Sequence, residues 1–197
     1  MMNSIIIKRT VVLYFFILIF ASVHSQMDSI KQPDAKGSVQ ELIVKIKGMV
    51  CPFCSYSLEK ALEALPYIQK VKNIDLQSGK VDLIIKGNTS KSLGEIEKSL
   101  DDTIKKATFS FDGIDTIFAT GVVKKDDFGF FANVVGSKIY LNDTHKKGDT
   151  LSKEKESRMA HFVDESSVIE IIALIHKHPD GSFGVSDLKN MKPAVTE

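Results

Sequence analysis

The sequence predicts an α+β fold, and three observations carry that expectation. Between residues 40 and 112, segments with alternating apolar residues and segments with an apolar stripe at helical spacing follow in the order strand, helix, strand, strand, helix, strand. That order is the split β-α-β arrangement of a ferredoxin-like βαββαβ sandwich. From residue 113 the texture turns strand-like, with five segments and a charged, helix-prone insert after the third, the pattern of a small all-β, OB-like barrel. The composition, 43% hydrophobic and 26% charged over 197 residues, supports a buried core and excludes a disordered or fibrous chain.

Residues 1–25 read as an export signal. Lys8 and Arg9 supply a positive flank, an apolar stretch runs from Val11 to Phe20, and Val23 and Ser25 occupy the positions a signal peptidase examines. Cleavage is predicted before Gln26. The apolar run from Val11 to Val23 is shorter than the roughly 20 residues a membrane-crossing helix needs, so a cleaved signal is favoured over an anchor. The mature protein is then expected in an exported, periplasmic or secreted, location with no membrane attachment. Residues 26–38, with Pro33 and Gly37 and no apolar period, read as a flexible linker.

In the expected sandwich domain, residues 39–112, the first strand alternates Leu42, Val44 and Ile46 against Ile43, Lys45 and Lys47. The first helix carries Leu58, Ala61, Leu62 and Leu65 at i, i+3, i+4 and i+7, and Pro66 is expected to stop it. Residues 71–76 and 81–86 flank Gln77-Ser-Gly-Lys80 and read as a hairpin. Ser92 and Glu95 form a capping-box pattern before the stripe Leu93, Ile96, Leu100, Ile104. Thr108 to Phe111 reads as a short closing strand. In the expected second domain, residues 113–197, strands are read at 116–124, 129–135, 138–141, 168–175 and 182–185, with turns at Asp126-Asp127 and Gly136-Ser137. Lys153 to Phe162 is the helix-prone insert.

The two cysteines, Cys51 and Cys54, sit where a strand ends and a helix begins. Unpaired N–H groups at a helix start favour an anion and lower a thiol's pKa, giving a thiolate that binds a soft metal or attacks a disulfide. A two-residue gap lets both sulfurs converge on one ion, and two soft anionic ligands suit Cu(I) far better than Mg²⁺ or Ca²⁺. No second Cys-x-x-Cys or His-x-x-x-His pair completes a structural zinc site. Metal capture is therefore the preferred reading, ahead of a thiol-disulfide oxidoreductase using Cys51 as nucleophile and Cys54 as resolving thiol, and ahead of a merely structural disulfide. Thioredoxin-like redox enzymes place a proline from a later strand beside their cysteines. None of Pro33, Pro52, Pro66, Pro179 and Pro193 begins a strand of this domain after the helix.

Gly48-Met-Val-Cys-Pro-Phe-Cys54 resembles the Gly-Met-x-Cys-x-x-Cys motif of heavy-metal-associated (HMA) domains, found in copper chaperones, copper ATPases and the periplasmic mercuric-ion-binding protein. The resemblance spans residues 40–112 and includes Ile104-Lys-Lys-Ala-Thr-Phe109, which is similar to the family's Ile-x-x-Ala-Gly-aromatic stretch. It implies that Cys51 and Cys54 are the metal ligands, that Met49 packs under the loop, and that Phe109 takes the aromatic position near the site. Thr108 stands where the family usually has Gly. Pro52-Phe53 is an unusual pair between the ligands; the proline stiffens the loop and removes one N–H. Val50 supplies no carboxylate of the kind zinc-handling members carry there, which tilts the cargo toward Cu(I), with Hg(II) as the alternative. The expected function is capture of a thiophilic ion and its buffering or transfer to a metal-accepting or metal-transporting protein.

His176 and His178 lie two apart on one strand face, where a second metal site with His161 or His145 is conceivable. The following Pro179-Asp-Gly181 turn favours exposed residues at a hairpin end. A formal net charge of +1 leaves no single-sign field for nucleic acid or an anionic membrane. No Gly-x-Ser-x-Gly, His-Glu-x-x-His or phosphate-cradling loop occurs, so no enzyme is expected. A third reading makes the chain an interaction protein whose β domain docks an envelope partner.

Overall fold

The computed structural model describes residues 37–141, 153–164 and 168–194. The expected export signal at 1–25, linker residues 26–36 and His145 lie outside the described residues. The elements run β1 (Ser38–Lys47), α1 (Pro52–Glu63), β2 (Ile68–Asp75), β3 (Lys80–Ile85), α2 (Leu93–Lys106), β4 (Ser110–Asp126), β5 (Gly129–Val134), β6 (Ser137–Tyr140), α3 (Lys153–Asp164), β7 (Val168–Lys177) and β8 (Phe183–Pro193). No helix among the described residues is long and apolar enough to cross a membrane.

The first six elements form a βαββαβ sandwich with strand order β2-β3-β1-β4. In β1 the expected alternation puts Leu42, Val44 and Ile46 into the core, where they meet Leu58 and Leu62 of α1 and Leu93, Ile96, Leu100 and Ile104 of α2. Ser92 caps α2 as its sequence suggests. Its Oγ accepts from the Glu95 N–H, and the Glu95 carboxylate accepts from the Ser92 N–H at 2.7 Å. Helix α1 stops earlier than expected, at Glu63, with Ala64 as its cap; Leu65 still packs against the core from beyond the helix. Strand β2 begins at Ile68, three residues before the expected start, because Ile68 is itself a core residue paired to Ile85.

The closing strand corrects the expectation most. Sequence texture separates a strand at 108–111 from another at 116–124, with Gly113 between them. In the structure β4 is one strand, and it runs through residue 113. Its register against β1 skips at Asp112 and at Asp115, so each is the extra residue of a β-bulge, and Gly113 has φ 105°. Bulges absorb a conformation that breaks ordinary alternation, which is why the pattern looks interrupted.

Beyond β4 the strands turn back on themselves. β4 pairs with β5, β5 with β6, β6 with β8 in parallel, β8 with β7, and β7 with β4 again, closing a five-strand ring with α3 between its third and fourth strands. Ile117, Ala119, Val123, Ala132, Val134, Ile139, Ile169, Ile171, Ala173 and Val185 are buried, joined by Met159 and Phe162 of α3. β8 runs eight residues past the expected end at Val185, pairing with β7 as far as Pro193. That extension is mostly polar, with Leu188 and Met191 three apart and packed against the core, so no apolar alternation announced it.

Candidate metal centre

Backbone geometry sets the cysteine loop before side chains act. β1 ends at Lys47, and Gly48 takes φ 92°, a left-handed value that costs glycine little. A Cβ at Gly48 would lie 3.8 Å from the Phe109 ring, so this aromatic residue sits beneath the start of the loop. Met49 follows and is buried in the core, packing under the loop.

Cys51 is the N-cap of α1, with extended backbone, and the Cys54 N–H donates to its Sγ at 3.1 Å. Pro52 opens the helix, a position whose N–H has no intrahelical partner anyway, so the lost donor costs little. No acidic residue occupies the first turn, and the positive end of the helix acts on the sulfurs without an opposing carboxylate from that turn. Both cysteines are partly exposed, and Val50 and Phe53 beside them are 88% and 80% exposed, with Tyr56 a turn further on at 57%. Exposed apolar and aromatic side chains thus flank the pair.

The two sulfurs are bonded to each other, with Cα atoms 5.3 Å apart. Ligation requires the reduced pair, because a disulfide sulfur lacks the anionic charge that makes a thiolate a ligand. Among the described residues no three His, Cys, Asp or Glu side chains cluster to form a larger ligand set. A groove of about 920 Å³ beside α2, lined by Glu97, Asp101, Lys105, Asp112 and His176 among others, does not include the cysteines. They sit at the start of α1, partly exposed.

His176 and His178 are brought together, and neither is fully exposed; His161 lies on α3 against Phe162 and does not join them. Sequence reasoning missed Asp115. This buried carboxylate holds Lys45 Nζ at 2.5 Å and Lys80 Nζ at 2.8 Å, tying β1, β3 and β4 together. Only the bulge puts it there, so strand alternation carried no signal for it.

No protein-family model and no curated protein matches the sequence. Among solved structures, a copper-binding domain from HMA7, a P-type ATPase, is similar at 24% identity over 38% of this chain and 92% of that one, with a TM-score of 0.32. The CopZ metallochaperone is similar at 18% identity over 36% of this chain and 97% of that one (TM-score 0.31). The yeast copper transporter domain Ccc2A is similar at 20% identity over 38% and 93% (TM-score 0.32).

Proposed function

We propose that this protein is an exported carrier that captures a thiophilic ion, Cu(I) in preference to Hg(II), between the thiolates of Cys51 and Cys54 and buffers it or passes it to a metal-accepting protein. One observation carries the reading: two sulfurs at the exposed start of a helix, with no acid in its first turn and exposed apolar and aromatic side chains for a partner to meet. Two electrons and two protons from a dithiol donor first open the disulfide into two thiols. Cargo then displaces the thiol protons. Transfer needs no catalyst, since an incoming thiolate enters the open coordination sphere of a two-coordinate ion before an old one leaves. The five-strand ring with a helix after its third strand supports an OB-like barrel, which would contribute docking or spacing.

Native mass spectrometry of the reduced protein after Cu(I) addition tests this. A 1:1 adduct is expected, lost in Cys51→Ser. A second reading, thiol–disulfide exchange by the same pair, is favoured by the bonded sulfurs themselves. Turnover of a dithiol–disulfide couple together with weak copper retention would establish it and overturn the first.

A further inference from the structure

Strands β7 and β8 pair antiparallel with His176 opposite Gly184 and Lys177 opposite Phe183. His178 follows the end of β7, and its N–H donates to the Ser182 carbonyl across the turn. The His176 and His178 rings meet edge to face, with centroids 4.5 Å apart. Beneath them lies Gly184. A Cβ at that position would stand 2.3 Å from Nε2 of His178 and 3.0 Å from Nε2 of His176. Any larger residue would drive the rings away, so the missing side chain is what lets two imidazole nitrogens approach one point.

The orientation is held from behind. Nδ1 of His176 lies 2.8 Å from Ser186 Oγ, two residues along β8 from Gly184. A hydrogen bond at one ring nitrogen fixes the tautomer and aims the other, the usual support of a ligating histidine. The Nε2 of His178 is shielded from solvent. Metal–nitrogen bonds of about 2.0–2.1 Å place two imidazoles on one ion with their nitrogens no more than about 4 Å apart. The 2.3 and 3.0 Å legs to a common point bound the separation of the two Nε2 atoms at about 5.3 Å, from which a small rotation of the rings reaches that distance.

We infer that His176 and His178 form a second metal site, which takes a divalent ion of the Cu(II) or Zn(II) class through both Nε2 atoms. Imidazole donors suit these ions, and the first-row stability order puts Cu(II) highest. Two protein ligands leave coordination positions for water or for a donor from a partner. The donors and the metal's oxidation state both differ from those of the cysteine pair, so the inference does not depend on that reading.

The test uses the full mature chain with the Cys51–Cys54 disulfide intact, so that the cysteines cannot ligate. Titration with Cu(II), followed by calorimetry and electron paramagnetic resonance, is expected to give one bound equivalent with nitrogen hyperfine splitting. His176→Gln and His178→Gln should each weaken it at least tenfold while the circular dichroism spectrum is unchanged. Should a glutamine variant fail to fold, Zn(II)-induced shifts of the imidazole resonances in the unaltered protein decide, with His176 and His178 expected to move together. The inference is overturned if no equivalent binds, if the double glutamine variant binds as tightly as the parent, or if the zinc-shifted imidazoles belong to other residues.

Discussion

Among the described residues, two other than glycine adopt positive φ, and they do so for different reasons. Thr108, at φ 69°, is the residue just past α2, and the N–H groups around it close the helix: Thr108 N–H donates to the Lys105 carbonyl and Phe109 N–H to that of Ile104. This is a Schellman ending, whose left-handed position glycine fills at no steric cost. A residue with a Cβ pays about 1–2 kcal/mol for that conformation. Thr108→Gly is therefore expected to raise stability by roughly 0.5–1 kcal/mol, the local hydrogen bond from Thr108 Oγ1 to the Ala107 carbonyl and the added freedom of the unfolded glycine offsetting part of the relief. A higher midpoint in urea checks it; an unchanged or lower midpoint refutes it. Val135, at φ 48°, turns β5 into β6 beside Gly136, yet its side chain is buried. There packing holds a conformation that the local chain disfavours, and no such compensation reaches Thr108. Departure from the usual glycine at 108 was visible in the sequence; its meaning was not, because φ depends on where the helix actually ends.

At the scale of the element, β4 decides most. Its bulge at Asp115 sets a carboxylate between Lys45 of β1 and Lys80 of β3. Burial pushes this acid's pKa up, but hydrogen bonds and charge from the two lysines outweigh it, and the result lies below the ordinary value of 3.8. A carboxyl whose pKa falls on folding stabilises the fold above its unfolded pKa and loses that contribution as pH drops through the folded value. Asp115→Asn is thus expected to destabilise the protein at pH 7 by about 1–2 kcal/mol, the half-exposed lysines limiting the effect. The gap between parent and variant should narrow as pH falls below about 4. Urea midpoints of both proteins at pH 7 and pH 3 measure this, and a gap that widens on acidification refutes it.

For the whole molecule, the shared strand sets cooperativity. β4 pairs with β1 over Ser110–Thr120, with β7 over Thr116–Val122 and with β5 over Val122–Asp126, so no seam free of hydrogen bonds separates the sandwich from the ring. One hydrophobic cluster runs from Leu42 and Ile96 to Ile139, Ile171 and Val185. Calorimetry of residues 26–197 is accordingly expected to show one transition. Ile171→Ala, a cavity in the ring worth about 2–5 kcal/mol, should destabilise the sandwich equally, read from the exchange of core amide hydrogens of α1 and α2. Two resolved transitions, or an unmoved sandwich, would show that the two parts unfold separately.

Periodicity by itself determined the βαββαβ order, the capped second helix, the core faces of β1 and α2 and the place of the cysteines at a helix start, because each rests on neighbours within a turn or a strand. Continuity of β4 through residue 113, the ion pairs of Asp115 and the meeting of two histidines over Gly184 were decided only in three dimensions. Each depends on which strands pair and in what register, or on how the chain closes upon itself. Local alternation cannot encode a bulge or a partner brought from another strand.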